Sequence, residues 1–275
     1  MTDADPQALL GLAIELATQA GALLLAGIDK ARTAVTTKSS ITDMVSEMDR
    51  AAESLIVTRL ATERPDDAIL AEEGGAATGS SGLRWVIDPL DGTTNYLYGI
   101  PAWSVSIAVE QDGATIAGAV RDPSRGDTFS AIAGHGSFRN GVRLSPRPVP
   151  TLDRALIGTG FGYSSTRRAA QAALLPTVLP EVRDIRRFGS AALDLCWVGA
   201  GEMDGYYEAG LAPWDLAAGS LVATEAGIWV GTIDPAQMDP SKIRPASIEL
   251  PEIVVAAPAG LAEPLIELIR RALAS

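Results

Sequence analysis

Thiols, imidazoles and cationic charge are scarce in this chain, and each shortage removes a class of function. One cysteine, Cys196, and one histidine, His135, stand among 275 residues. They cannot form an intramolecular disulfide or a Cys/His zinc site, and a reducing cytoplasm is the compartment they suggest. Lysine and arginine together number 22 against 34 aspartates and glutamates, a formal net charge of -12 at pH 7. A surface of that sign has no broad attraction for nucleic acid or anionic lipid, so neither is expected as a partner, and an anionic substrate needs a local cation. The first residues, MTDADPQ, lack the lysine or arginine of a signal peptide. Residues 9–28 are apolar enough to raise a membrane span, but Gly11, Glu15, Thr18, Gln19 and Ala22 fall on one helical face. That spacing predicts an amphipathic helix laid on a core. Internal repeats and low-complexity tracts are absent too.

What is present is apolar: 47% of the residues are hydrophobic, enough to bury a sizeable core. Met44, Met48, Ala52, Leu55 and Ile56 keep a helical period that predicts a helix over 43–62, ended before Pro65. Residues 68–71 and 84–87 read as short buried strands, each running into acidic residues. SVSIAVE, TIAGAVR and DTFSAIA, separated by turn sequences and followed by Asn140-Gly141, predict an antiparallel meander over 104–144. Beyond it the pattern alternates. A strand at 155–158, helices at 166–179 and 190–199, the strand GYYE and a helix through APWDLAAGSLVATEA come first. A loop over 233–251, the strand EIVVAA and a helix over 261–274 close the chain, so layered α/β structure is expected.

Acidic residues stand where apolar segments end: Glu72 and Glu73 in LAEEGG, Asp88 and Asp91 in WVIDPLDGTTN, Asp215 in APWDLAAG. No lysine, arginine or histidine lies within 85–96 to neutralise the aspartates. If these carboxylates converge, repulsion and burial raise their pKa values unless cations hold them ionised. An all-oxygen donor set favours Mg²⁺, with Mn²⁺ as a substitute. Pro89 fixes the turn, so that Asp88 and Asp91 can face one ion with the Leu90 carbonyl in a further position. Gly92 and Thr93, at a helix start, can turn backbone N–H groups toward a phosphate. The plain alternative, in which each aspartate caps a helix or closes a turn, suffices for a single Asp-Gly but not for the whole DPLDGTTN string.

Together, EE at 72 and 73, WVIDPLDGTTN and PWDLAAG resemble the inositol monophosphatase family of Mg²⁺-dependent, lithium-sensitive phosphatases. The likeness runs along nearly the whole chain. KSSITDMVSEMD is similar to the family's N-terminal loop and helix, GHGSFRNG to its hairpin, and RRFGSAALDLCWVGAGEMDGYYEAG to its substrate-side segment, with GSAALDL in the bacterial style. The resemblance implies an α-β-α-β-α sandwich, a single domain over 1–275 with an α+β half to about 150 and an α/β half from about 151, and a homodimer. It implies that Glu72, Asp88, the Leu90 carbonyl and Asp91 hold a metal cluster, with Asp215 completing a second site. Catalysis would fall to Glu72, Thr93 and Asp88, the first two activating the attacking water. Lys38 and Asp49 would lie near a more weakly held ion, with Glu73 behind the ligands. Gly189, Ser190, Ala191 and Glu208 would meet the substrate's hydroxyl face, and Asp91, Gly92, Thr93 and Asp215 would touch it as well.

The implied reaction is hydrolysis of a sugar or inositol phosphate, foremost myo-inositol 1-phosphate, without a covalent phospho-enzyme. GSAALDL together with YYE at 206–208 resembles the inositol-phosphate branch, in which Glu208 would accept a hydrogen bond from a ring hydroxyl. Fructose 1,6-bisphosphate, nucleotide 3′-phosphates and histidinol phosphate are the alternatives within the family. Two departures stand out: Ser190 replaces the threonine of many animal members, and IWVGTIDPAQMDPSKIRP follows TEAG in place of a second glycine and a shorter turn, which leaves the last sheet edge open. Rival classes fare worse. IGTGFGYSS has G-x-G-x-G spacing, not the G-x-G-x-x-G of a dinucleotide loop. A metal-stabilised interaction module with vestigial turnover is opposed by the retained candidate ligands. His135 in AGHGS reads as a loop residue and Cys196 in LDLCWVG as packing.

Overall fold

The first helix, α1 (Pro6–Ala34), buries Leu9, Ala13, Leu16, Ala17, Ala20 and Leu24, while Gly11, Glu15, Thr18 and Ala22 stay exposed. The stripe read from the sequence is therefore its solvent face. By length and composition, the stretch Pro6–Ile28 is apolar enough to cross a bilayer. Its buried residues instead share one core with Trp85, Ile107 and Val109 of a sheet. The computed structural model describes residues 5–34, 41–146, 148, 151–239, 244 and 250–275, with side chains described at all of these except 29–34 and 41–46.

Beside α1 lies α2 (Ile41–Glu63), and both cover one face of an eight-stranded sheet. Its strands are β1 (Ala68–Ala71), β2 (Ala76–Ala77), β3 (Leu83–Asp91), β4 (Ser104–Gln111), β5 (Ala114–Asp122), β6 (Asp127–Ile132), β7 (Gly136–Arg139) and β8 (Val142–Arg143). They lie in the order β2-β1-β3-β4-β5-β6-β7-β8, antiparallel throughout except that β1 runs parallel to β3. The meander is as the turn sequences imply. Asp112 and Asn140, each followed by a glycine, take positive φ, the geometry that joins twisted antiparallel strands tightly.

The second sheet has β9 (Leu156–Thr159), β10 (Asp184–Arg186), β11 (Gly205–Ala209), β12 (Ile228–Ile233) and β13 (Ile253–Pro258) in the order β10-β9-β11-β13-β12. Between the sheets lie α6 (Ala191–Gly199) and α7 (Pro213–Glu225). Every residue of α6, Cys196 included, is buried, as a middle layer requires. One core joins Val86 and Phe129 of the first sheet, Leu193 and Val222 of these helices, and Tyr206 and Ala256 of the second sheet. The far face of the second sheet is closed by α5 (Leu175–Val178) and α8 (Ala259–Ala274), with Val178, Leu265 and Ile269 packed among Ile157 and Val255. The layers run α-β-α-β-α, as expected.

One local expectation needed correction, and two left open are filled in. The helix expected over 166–179 is broken into α4 (Ser165–Ala172) and α5, because Pro176 has no N–H to continue a helix and instead starts a new one. A 3-10 turn, Leu179–Glu181, follows. The IWVGTI segment, which leaves the last edge open in the sequence, is β12, paired with β13 from Ile228 to Ile233. Its expected loop starts with a 3-10 turn, Pro235–Gln237, closed by the Asp234 side chain on Ala236 N–H.

Candidate active site

The site begins with a bulge. Aspartates three apart on a regular strand point to opposite faces. In β3, however, Asp88 lies opposite Ser106 and Asp91 opposite Ser104, so three steps on β3 match two on β4. The extra residue, at Pro89-Leu90, brings both carboxylates to the face that Ser104 and Ser106 share. Asp88 is 1% exposed, and its Oδ1 accepts the Leu90 N–H at 2.9 Å, which closes the turn. Gly92 then takes φ 90°, and a Cβ there would come within 2.9 Å of the Ala102 carbonyl oxygen, so only glycine fits before α3 (Thr93–Tyr98).

Each serine of β4 reaches a helix start in the middle layer. Ser106 Oγ donates to the Trp214 carbonyl at 3.3 Å, at the first turn of α7, where Asp215 Oδ2 accepts the Ala212 N–H at 2.7 Å. Ser104 Oγ lies 3.2 Å from Ser190 Oγ. The Ser190 hydroxyl and the Ala192 N–H both donate to Asp91 Oδ2, at 2.6 and 2.8 Å. Glu72 arrives on β1: Ala71 pairs with Ile87 in parallel register, and the Glu72 N–H donates to the Ile87 carbonyl at 3.2 Å, which sets Glu72 beside Asp88.

Four carboxylates from three chain segments thus line one cavity of about 220 Å³: Glu72, Asp88, Asp91 and Asp215. Burial, followed by the charges of Asp215 and Glu73, pushes the Glu72 carboxyl up to about 7. Burial and the Asp215 charge push Asp91 up to about 7, against the donors Ser190 and Ala192. Asp88 rises well above the usual carboxylate range through burial and then the charges of Asp91, Glu72 and Asp215. Burial also raises Asp215. These groups become fully ionised at neutral pH only beside cations. The donors are all oxygens, a set that fits Mg²⁺ or Mn²⁺. Among the described residues, no three His, Cys, Asp or Glu side chains close into a coordination shell about one point; the carboxylates stand around the cavity.

The wall also includes Leu90, Gly92, Thr93, Gly189, Ala191 and Glu208. Thr93 Oγ1 donates to the Leu90 carbonyl at 3.1 Å. Glu208 Oε2 accepts the Tyr206 hydroxyl at 2.6 Å and lies where a Cβ on Gly160 would be 1.8 Å away. The glycine-rich IGTGFGYSS segment therefore makes room for a carboxylate. Burial raises the Glu208 carboxyl, with Tyr206 and then Arg187 pulling it back.

Ser190, expected at the substrate, is fully buried and absent from the wall; its hydroxyl is committed to Asp91. Glu73 turns toward Arg50, 3.7 Å away, and is not on the wall either. Asp49 is buried on α2, where burial and then Glu73 and Glu72 push its carboxyl up to about 8. Lys38 lies outside the described residues. His135 is exposed on the β6–β7 hairpin, away from the cavity.

Sequence reasoning passed over the cations of this wall, Arg167 and Arg187, and its aromatic residues Phe161, Tyr163 and Trp214. It also passed over Asn95, whose Nδ2 donates to the carbonyls of Ala102 and Phe188, each at 2.6 Å, and ties the β3 turn to the segment before α6. The only sequence signals were the paired arginines before Gly189 and the asparagine ending DGTTN.

The model of the inositol monophosphatase family matches residues 5–274. This chain belongs to the inositol monophosphatase family. A relative from Mycobacterium leprae named inositol-1-monophosphatase is 45% identical over 296 residues, which cover 98% of this chain and 96% of that one. A relative from Pasteurella multocida named Nus factor SuhB is 42% identical over 221 residues, 80% of this chain and 83% of that one. The solved structure of Mycobacterium tuberculosis SuhB superposes with a TM-score of 0.83 at 40% identity, over 99% of both chains. Inositol monophosphatase family members are phosphatases and in general depend on metal ions.

Proposed function

We propose that this protein hydrolyses a phosphate monoester with the help of Mg²⁺, Mn²⁺ serving as a substitute, and that myo-inositol 1-phosphate is its substrate. The observation that carries this is the β3 bulge, which turns Asp88 and Asp91 to one face beside Glu72 and Asp215. Glu72, Asp88, the Leu90 carbonyl, Asp91 and Asp215 would hold the ions. When bound, such ions neutralise the phosphoryl group and the leaving oxygen and lower the pKa of the attacking water. The side chains do the rest. The Thr93 hydroxyl spends its proton on the Leu90 carbonyl, so its lone pairs face the cavity as acceptors for that water, and Glu72 takes the water's proton. Gly92 and Thr93 would receive the phosphate, while Gly189, Ala191 and Glu208 meet the alcohol, with Glu208 accepting from a ring hydroxyl. Arg187 and Arg167 supply the local cations that an acidic chain needs for an anionic ester.

The name inositol-1-monophosphatase on the Mycobacterium leprae relative supports the choice of substrate. Fructose 1,6-bisphosphate, nucleotide 3′-phosphates and histidinol phosphate remain in the test set. Phosphate release from each ester, with Mg²⁺ and with chelator, should be fastest for myo-inositol 1-phosphate and vanish with chelator; preference for a nucleotide overturns the assignment. The proposal includes one domain, a homodimer, a cytoplasmic location and inhibition by lithium. A core cluster shared by both halves of the chain supports the single domain.

The second reading we propose is an interaction module with the same fold, and a relative named Nus factor SuhB favours keeping it in the test. Asp88→Asn separates the two, since turnover should vanish while partner capture persists if contact is the main role.

A further inference from the structure

Helix α2 presents two buried acidic side chains, Asp49 and Glu53, one helical turn apart, beside the turn that carries Glu72. Two like charges beside an acidic turn would repel it unless something on the turn attracts them. Glu53 has found that attraction in the backbone. Its Oε2 accepts the Glu73 N–H at 2.7 Å, and its Oε1 accepts the Gly75 N–H at 2.9 Å. The same turn is closed by the Ala71 N–H on the Gly75 carbonyl, 2.9 Å, and fixed to β3 by the Glu72 N–H on the Ile87 carbonyl, 3.2 Å. The fit leaves no slack. A Cβ on Gly75 would come within 2.9 Å of Glu53 Oε1 and 3.1 Å of Val57 Cγ2. A buried carboxylate taking two N–H donors makes charge-assisted bonds, stronger than those between neutral groups.

We infer that Glu53 is a positioning residue for the metal-holding carboxylates: by gripping the Glu73 and Gly75 amides it fixes the direction in which Glu72 enters the cavity. Glu53 touches neither the cavity wall nor the reacting atoms. It acts through the backbone that follows Glu72, while the Ile87 carbonyl holds the Glu72 amide itself, and it joins α2 to the site. The inference rests on the assignment of Glu72 as an ion-holding group.

Glu53→Gln is the test, because the amide keeps the length and one acceptor oxygen but sets an NH₂ against one of the two N–H donors. Exchange of deuterium over the 72–76 peptide should speed up while exchange in α7 and the second sheet stays as in the parent. The Mg²⁺ concentration that gives half of the maximal rise in Tm, and half of maximal phosphate release, should increase about tenfold, with KM for the ester within about twofold. Gly75→Ala, which crowds the same carboxylate from the opposite side, should reproduce this pattern. Glu53→Asp, too short to reach both donors, should fall between Gln and the parent. Unchanged exchange at 72–76 with unchanged Mg²⁺ dependence overturns the inference, and so does faster exchange spread evenly over the molecule, the mark of a residue that merely stabilises. If the parent releases phosphate from no ester, the phosphatase assignment fails, while the exchange and Mg²⁺ thermal shift still decide the role of Glu53.

Discussion

The two sides of the cavity are built on different sheets, and only one of them brings arginines. From the first sheet come Glu72, just past β1, and Asp88 and Asp91 on either side of the β3 bulge; from the second sheet and the segments that join its strands come Glu208, Arg187 and, on α4, Arg167. The carboxylate side is fixed by backbone: a bulge, a parallel register and the clamp on the Glu72 turn. The guanidinium side is held by long exposed side chains, Arg187 touching only the Phe161 carbonyl at 3.5 Å among hydrogen bonds between described residues. The carboxylates proposed to hold an ion are set by rigid geometry. The arginines opposite them hang on long, exposed side chains.

That contrast is most sharply broken at Asp88. Asp88→Asn should reduce phosphate release at least about a thousandfold with the fold retained, since it removes the central carboxylate of the proposed ion site, worth several kcal/mol in the transition state. Circular dichroism and a phosphate assay check it. Arg187→Ala should act on the other side only, raising KM about tenfold with kcat nearly kept, the loss of one charge-assisted contact at about 1.4 kcal/mol. A kcat loss as large as that of Asp88→Asn would erase the distinction between the sides.

Stability against pH sharpens the comparison further. Without ions, Asp49 titrates near 8 and Glu72 and Asp91 near 7, above their ordinary values of 3.8, 4.5 and 3.8. The folded chain then keeps protons that the unfolded chain releases, so stability falls as pH rises from about 4.5 to about 8. In chelator, Tm should decline across that window, and excess Mg²⁺ should flatten the decline. A chelated protein with level Tm from about pH 5 to about pH 8 would show that burial and then mutual repulsion do not raise these carboxyls.

Smallest is Ser190→Ala. It removes the hydroxyl on Asp91 and the cap on the Leu193 N–H, and should cost about 1 kcal/mol in denaturant unfolding, with a modest rise in the Mg²⁺ requirement.

The layers and the acidic set were legible because both leave periodic or compact marks: the meander alternates, and DPLDGTTN ends a strand. How the set converges was not. Pro89 did signal a turn that lets Asp88 and Asp91 share a face, but the bulge that makes it shows only in the pairing with β4, some distance along the chain. Glu53 was silent and Arg187 marked only by its arginine neighbour, since such a side chain looks like any other until its partner, the Glu73 amide or the Phe161 carbonyl, arrives from elsewhere. The break between α4 and α5 was readable in Pro176, but the apolar period around it outweighed that signal.

The apolar first helix has a kinetic consequence. Its docking surface includes β4 and β5, which the ribosome makes much later, so α1 is synthesised with a greasy stripe and nothing to lay it against. These are contacts of long sequence separation, and they make closure of this layer a slow step in folding, during which newly made chains are open to capture by chaperones.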